Sequence, residues 1–210
     1  MIKVSIFSMK QESRFMPKCI THAKGRNNTV RECASLSSEH LPCASLSSEH
    51  LPCGDKQEKY NRILPQVQSL CDGEDDLIAK MANVAALLHS EFDFWWTGFY
   101  RVSPTNATTC SYPYELLLGP FQGPLACVHI PYGKGVCGTA WKEQRAIVVP
   151  DVELFPGHIA CSSQSRSEIV VPLFLPSHSV VALLDIDSRS LNAFDDVDLR
   201  NLQQLVGYMV

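Results

Sequence analysis

Apolar residues recur at helical spacing between positions 77 and 88: Leu77, Ile78, Met81, Val84, Ala85 and Leu88. That repeat predicts a helix with one face on a core. Asp75 and Asp76 stand ahead of it, where acids complement the positive end of the helix dipole. The pattern then turns β-type, in runs at 94–102, 115–122, 126–132, 146–150, 168–175 and 180–186, and the spacers between them carry the Pro, Gly, Ser and Asn of turns. Asp195 is placed to cap a last helix that buries Val197, Leu202, Leu205 and Val206. Several connections are too short for a helical crossover. The expected fold is therefore α/β of the α+β kind, a mainly antiparallel six-stranded sheet flanked by helices.

Ahead of Lys56 no such period lasts. The segment CASLSSEHLP at 33–42 recurs letter for letter at 43–52, and Cys53 begins what would be a third copy. A perfect Ser-rich duplication has no core to bury, so 1–55 reads as a disordered, low-complexity extension and 56–210 as the folded domain. Cys33, Cys43 and Cys53 are ten apart because the unit is ten long. Without a CxxC among them, a metal-binding array is not favoured.

Composition narrows the partners. The net charge of −4 comes without the basic, aromatic-interleaved stripe that phosphate backbones require, which excludes nucleic acid as an expected partner. Lys3, Ser5, Ser8 and Lys10 break up the N-terminal apolar stretch, so no signal-peptide core is expected. No run approaches the roughly 20 apolar residues of a spanning helix. The expectation is a cytoplasmic protein with no membrane partner, whose nine cysteines are thiols with chemistry rather than a disulfide framework. Asn106-Ala107-Thr108 matches a glycosylation acceptor but has no secretory context.

Three cysteines fall in unusual surroundings inside the β-rich block. Cys137 sits between glycines in Gly133-Lys134-Gly135-Val136-Cys137-Gly138, where a loop turns into a short helix, and a helix N-terminus favours a thiolate. Cys161 follows Phe155-Pro156-Gly157-His158 and precedes a polar stretch, a composition suited to a loop tip. Cys127 is the third. They could be buried small hydrophobes. Separations of ten and 24 residues lack the short knuckles of structural zinc. Two thiols that meet in space suit another task, in which one is oxidised to a sulfenic acid and the second condenses with it to a disulfide.

Carboxylates form a second constellation. Asp185 and Asp187 flank Ile186, so period 2 puts both on one face of a strand. Glu168 opens another apolar run. Ionised groups beside a core are costly unless paired or used, and the competing reading makes all three solvated strand ends.

Seven ordered motifs carry a resemblance. They are Trp96-Thr97-Gly98-Phe99-Tyr100, Leu118-Gly119-Pro120-Phe121-Gln122-Gly123, Gly135-Val136-Cys137-Gly138-Thr139-Ala140, Val149-Pro150-Asp151-Val152, Phe155-Pro156-Gly157-His158-Ile159-Ala160-Cys161, Ser167-Glu168-Ile169-Val170-Val171-Pro172 and Leu184-Asp185-Ile186-Asp187-Ser188. Together they resemble the free methionine-R-sulfoxide reductases, which are single GAF-domain enzymes, from about residue 59 to the C-terminus. The loop 103–114, with Cys110 in it, and the stretch 175–179 are longer than the family pattern.

The resemblance implies that Cys161 attacks the sulfoxide sulfur, that Cys127 resolves the sulfenic acid, and that thioredoxin, fed indirectly by NADPH, reduces the disulfide. Cys137 belongs to the same site, and an alternative division gives it the attack. Glu168, Asp185 and Asp187 are implied to hold the substrate, with Trp96 lining its methyl pocket and Tyr100 beside them. No bound cofactor and no metal are implied, and a homodimer is the family expectation. Chemistry agrees with the acids' role, because thiolate attack on S=O needs a proton for the departing oxygen. Another acid can pair with the ammonium group that only a free amino acid has. The rival functions are a non-catalytic GAF sensor of a small molecule and a thiol-based redox sensor.

Overall fold

The computed structural model describes residues 53–105, 112–159 and 162–210. They belong to a compact unit spanning Ser45–Val210. The expectations for the repeat, for Cys110 and for Cys161 lie outside the described residues.

Helix α1 (Cys53–Cys71) comes first. It starts inside the stretch read as the extension, so positions 53 to 55 are helical. Its own signal is weak, because Pro65 interrupts it and removes a backbone donor. Tertiary packing holds it, through the buried Tyr60, Ile63, Leu64 and Val67. Helix α2 (Leu77–Phe92) is capped by Asp76, whose Oδ1 accepts from Ile78 N and Ala79 N at 2.7 and 3.1 Å. Its buried stripe runs Met81, Val84, Ala85, Leu88 and Phe92. Ile78, expected in that stripe, lies one position off it and is 41% exposed.

The strands are β1 (Trp96–Pro104), β2 (Tyr114–Gln122), β3 (His129–Pro131), β4 (Ile147–Val149), β5 (Ser167–Phe174) and β6 (Val180–Ser188). Among the described residues they form a six-stranded sheet in the order β3-β2-β1-β6-β5-β4, with every neighbouring pair antiparallel. The run expected at 126–132 pairs only over His129–Pro131. Ahead of it, the carbonyls of Pro124 and Cys127 accept from Trp96 and Tyr100 side chains.

Alternation along β1, β5 and β6 divides two cores. Phe99, Ile169, Val171, Leu173, Leu184 and Ile186 face α1, α2 and the C-terminal helix α4 (Asp196–Gly207). Asp195 and Asp198 close a capping box at the start of α4. Lys56 ties α1 to that box: its Nζ donates to Asp198 Oδ2 at 2.6 Å, Asp195 Oδ2 at 3.0 Å and the Ala193 carbonyl at 2.8 Å. The opposite face packs Tyr100, Val170 and Leu183 with Val136, Ala140 and Trp141 of α3 (Gly135–Glu143). That second, smaller core surrounds the site. Among the described residues no helix is long and apolar enough to cross a membrane.

Candidate active site

Three adjacent strands bring the predicted acids together. Trp96, Asp187 and Glu168 are partners across β1, β6 and β5, and Gly98, Asp185 and Val170 form the next row. Both rows project to the α3 face. The missing side chain of Gly98 makes room there, since a Cβ at that position would sit 2.5 Å from Cη2 of the Trp96 indole. The ring stacks on Phe121 at 5.5 Å and on Tyr100 at 6.0 Å. An apolar wall thus stands beside a row of carboxylates.

Trp96, Tyr100, Cys137, Glu168, Asp185 and Asp187 line one pocket. Helix α3 delivers Cys137 to its floor after Gly135, whose φ of 63° turns the chain into the helix. That backbone conformation favours glycine. Glu168 and Asp185 are 6% and 7% exposed. Burial drives the carboxyls of Glu168 and Asp185 well above the usual carboxylate range, and repulsion between the neighbouring acids adds to it. Asp187, at the more open end, is raised by burial to about 6, held down by a hydrogen bond from Ser165. Oδ1 of Asp185 is buried without a hydrogen-bond partner among the described residues.

Cys137 departs from its expected chemistry. The helix N-terminus was to favour its thiolate, yet burial, followed by the charges of Asp185 and Glu168, pushes the thiol up and keeps it neutral. Position on α3 is outweighed by burial and by the acids facing the thiol. Sγ of Cys137 and carboxylate oxygens of Glu168 and Asp185 lie within 4.8 Å of one another, close enough to share a cation.

Cys127 stands at the rim, half-buried and disulfide-bonded. Its partner is neither Cys71 nor Cys137, which are both free. Tyr100 Oη donates to the Cys127 carbonyl at 2.9 Å, and Trp96 Nε1 to the Pro124 carbonyl at 3.1 Å. The site's aromatics therefore also anchor the segment that carries this cysteine.

A GAF domain family profile matches residues 72–210. GAF domain-containing protein A of Dictyostelium discoideum is 50% identical over 73% of this chain and 91% of its own length. A free methionine-R-sulfoxide reductase of Escherichia coli is 41% identical, over 73% of this chain and 88% of its own. The X-ray structure of the free methionine-R-sulfoxide reductase of Neisseria meningitidis, in complex with its substrate, is 46% identical. It superposes with a TM-score of 0.68, covering 76% of this chain and 91% of that one.

The chain belongs to the free methionine-R-sulfoxide reductase family.

Within this family member, the pocket also holds residues that the sequence reading left without a role. Lys134 and Ser165 line it, as do Ser162 and His158. His158 Nε2 lies 3.9 Å from Glu168 Oε2, and burial lowers its pKa, which favours the neutral imidazole. The Phe155-Pro156-Gly157-His158 motif pointed to this loop, but nothing in the sequence paired His158 with Glu168.

Proposed function

We propose that the chain is an oxidoreductase that converts free methionine-R-sulfoxide to methionine, with Cys161 as attacking thiolate and Cys127 as resolving thiol. The observation that carries this reading is a pocket with three carboxylates and an indole wall, bordered by a cysteine already in a disulfide. The named activity of relatives at 37% to 46% identity supports it.

The acids divide the work. At neutral pH Asp187, raised only to about 6, is mostly ionised and pairs with the substrate's ammonium group. Burial favours the protonated forms of Glu168 and Asp185, so either can protonate the sulfoxide oxygen. Lys134 and the N-terminus of α3, which no side chain caps, receive the carboxylate. The methyl group rests on Trp96.

Electrons and atoms balance as follows. The Cys161 thiolate attacks the sulfoxide sulfur, the oxygen takes up a proton and passes to Sγ as its bond to the substrate sulfur breaks, and methionine leaves. Thiolate, sulfoxide and one proton become sulfenic acid and thioether, with two electrons moving from Cys161 to the substrate. The Cys127 thiol displaces water from that sulfenic acid and forms the disulfide. Thioredoxin, a dithiol, supplies the two electrons that reopen it. The neutral Cys137 at the pocket floor is a substrate contact in this scheme.

The test is methionine production from the free R-sulfoxide with thioredoxin, its reductase and NADPH. The reading predicts turnover of the free R epimer and little of the S epimer or of N-acetylated sulfoxide. Comparable turnover of the blocked substrate contradicts ammonium recognition by Asp187. No turnover of any sulfoxide returns the domain to a sensor role.

A further inference from the structure

Two consecutive tryptophans at the start of β1 send their indole N–H groups to two different segments. Trp96, inside the strand, reaches the Pro124 carbonyl, three residues before Cys127. Trp95 reaches the other way. Its Nε1 donates to Ser162 Oγ at 3.3 Å, and Ser162 directly follows Cys161. Ser162 Oγ also accepts from Gln164 N at 3.2 Å, so the hydroxyl is fixed from both sides. The Trp95 backbone N–H donates to the Asp187 carbonyl at 3.1 Å, which roots the indole in the sheet. Over its ring lies the guanidinium of Arg189, 3.5 Å from the centroid, a cation on an aromatic face that holds the plane in place.

No helix or strand holds residues 162–166, so the placement of Ser162 rests on these hydrogen bonds. We infer that Trp95 and Arg189 are positioning residues that hold Ser162, and through it aim the Cys161 thiolate at the substrate sulfur. The inference rests on Cys161 being the attacking group. Neither Trp95 nor Arg189 lines the substrate pocket, so their contribution falls on attack geometry rather than on binding. Misplacement of a reacting group by a fraction of an ångström to 1 Å costs roughly tenfold to a hundredfold in rate.

The experiment uses the full chain, reduced and freed of reductant, in single turnovers with free methionine-R-sulfoxide. Trp95→Phe keeps an aromatic ring under Arg189 but removes the N–H donor together with part of the indole. Ser162→Ala removes the acceptor. Each should lower the rate constant of methionine formation by about tenfold, and Trp95→Phe, at a residue outside the pocket, should leave the half-saturating substrate concentration unchanged. The double variant should be no slower than either single one, because both break the same contact. Arg189→Gln should slow the same step, and Arg189→Lys should recover part of the loss. Wild-type rates in both single variants, additive losses, or a raised half-saturating concentration in Trp95→Phe would overturn the positioning role while leaving the reductase reading intact. A wild-type protein that releases no methionine would overturn both.

Discussion

Glu168 and Asp187 face each other across the β5–β6 ladder, with Trp96 completing the row on β1. Stacking two carboxylates and placing Asp185 one step along the same face costs stability, since burial opposes their charges. In the proposed reaction this is where the substrate's ammonium group and oxygen arrive.

Glu168→Gln and Asp187→Asn should each lower kcat/KM by on the order of 10²-fold, the scale of a positioned acid. Steady-state kinetics on the free R-sulfoxide checks this. Wild-type rates in both variants would remove these acids from the reaction.

The same substitutions should stabilise the protein above neutral pH. A carboxyl whose folded pKa is raised binds its proton more tightly in the native state, so stability falls as pH rises from the unfolded value through the folded one. For Asp187 that window runs from 3.8 to about 6. Thermal unfolding at pH 5 and pH 8 should show a larger gain in Tm for Asp187→Asn at pH 8. An equal or larger gain at pH 5 contradicts the sign.

Activity should carry the opposite dependence. In the proposed reaction ionised Asp187 is the form that pairs with ammonium, so kcat/KM should rise through pH about 6, and Asp187→Asn should flatten that limb. A limb unchanged in Asp187→Asn assigns it to another group.

Lys56 sets the boundary of the folded domain. Its Nζ is the buried cation for Asp198, whose other oxygen accepts from Tyr60 Oη at 2.9 Å. Lys56→Met should cost about 3 kcal/mol in chemical unfolding, because the Asp198 charge is left behind in the core. Deleting residues 1–52 should cost neither stability nor activity, and extending the deletion through Lys56 should reproduce the loss. Instability of the shorter deletion would show that the duplicated tract contributes to the fold.

The sheet was legible because strand periodicity is carried by residues that face one core or the other: Phe99, Ile169 and Ile186 against Tyr100, Val170 and Leu183. The acids on one face of β6 followed from the same period of two. Helix α1 was not legible, since Pro65 obscures it and its support comes from α2 and α4. Nor was the state of Cys137, where burial first, and then the carboxylates of β5 and β6, outweigh a local helix terminus. The Arg189–Trp95–Ser162 contacts join Trp95 to Ser162, 67 positions on, and to Arg189, farther still along the chain, and no local pattern encodes them.

The order of thiol chemistry separates the cysteines. Cys161→Ser should release no methionine. Cys127→Ser should release about one methionine per chain and stop, with a sulfenic acid on Cys161. Cys137→Ser should retain its single turnover. Loss in Cys137→Ser together with a burst from Cys161→Ser would move the nucleophile to Cys137.

The most direct measurement is a single turnover of the reduced wild-type chain with one equivalent of free methionine-R-sulfoxide and no reductant, followed by peptide mass spectrometry. The account predicts one methionine per chain and a disulfide joining Cys127 to Cys161. Methionine without that disulfide, or that disulfide without methionine, would contradict it.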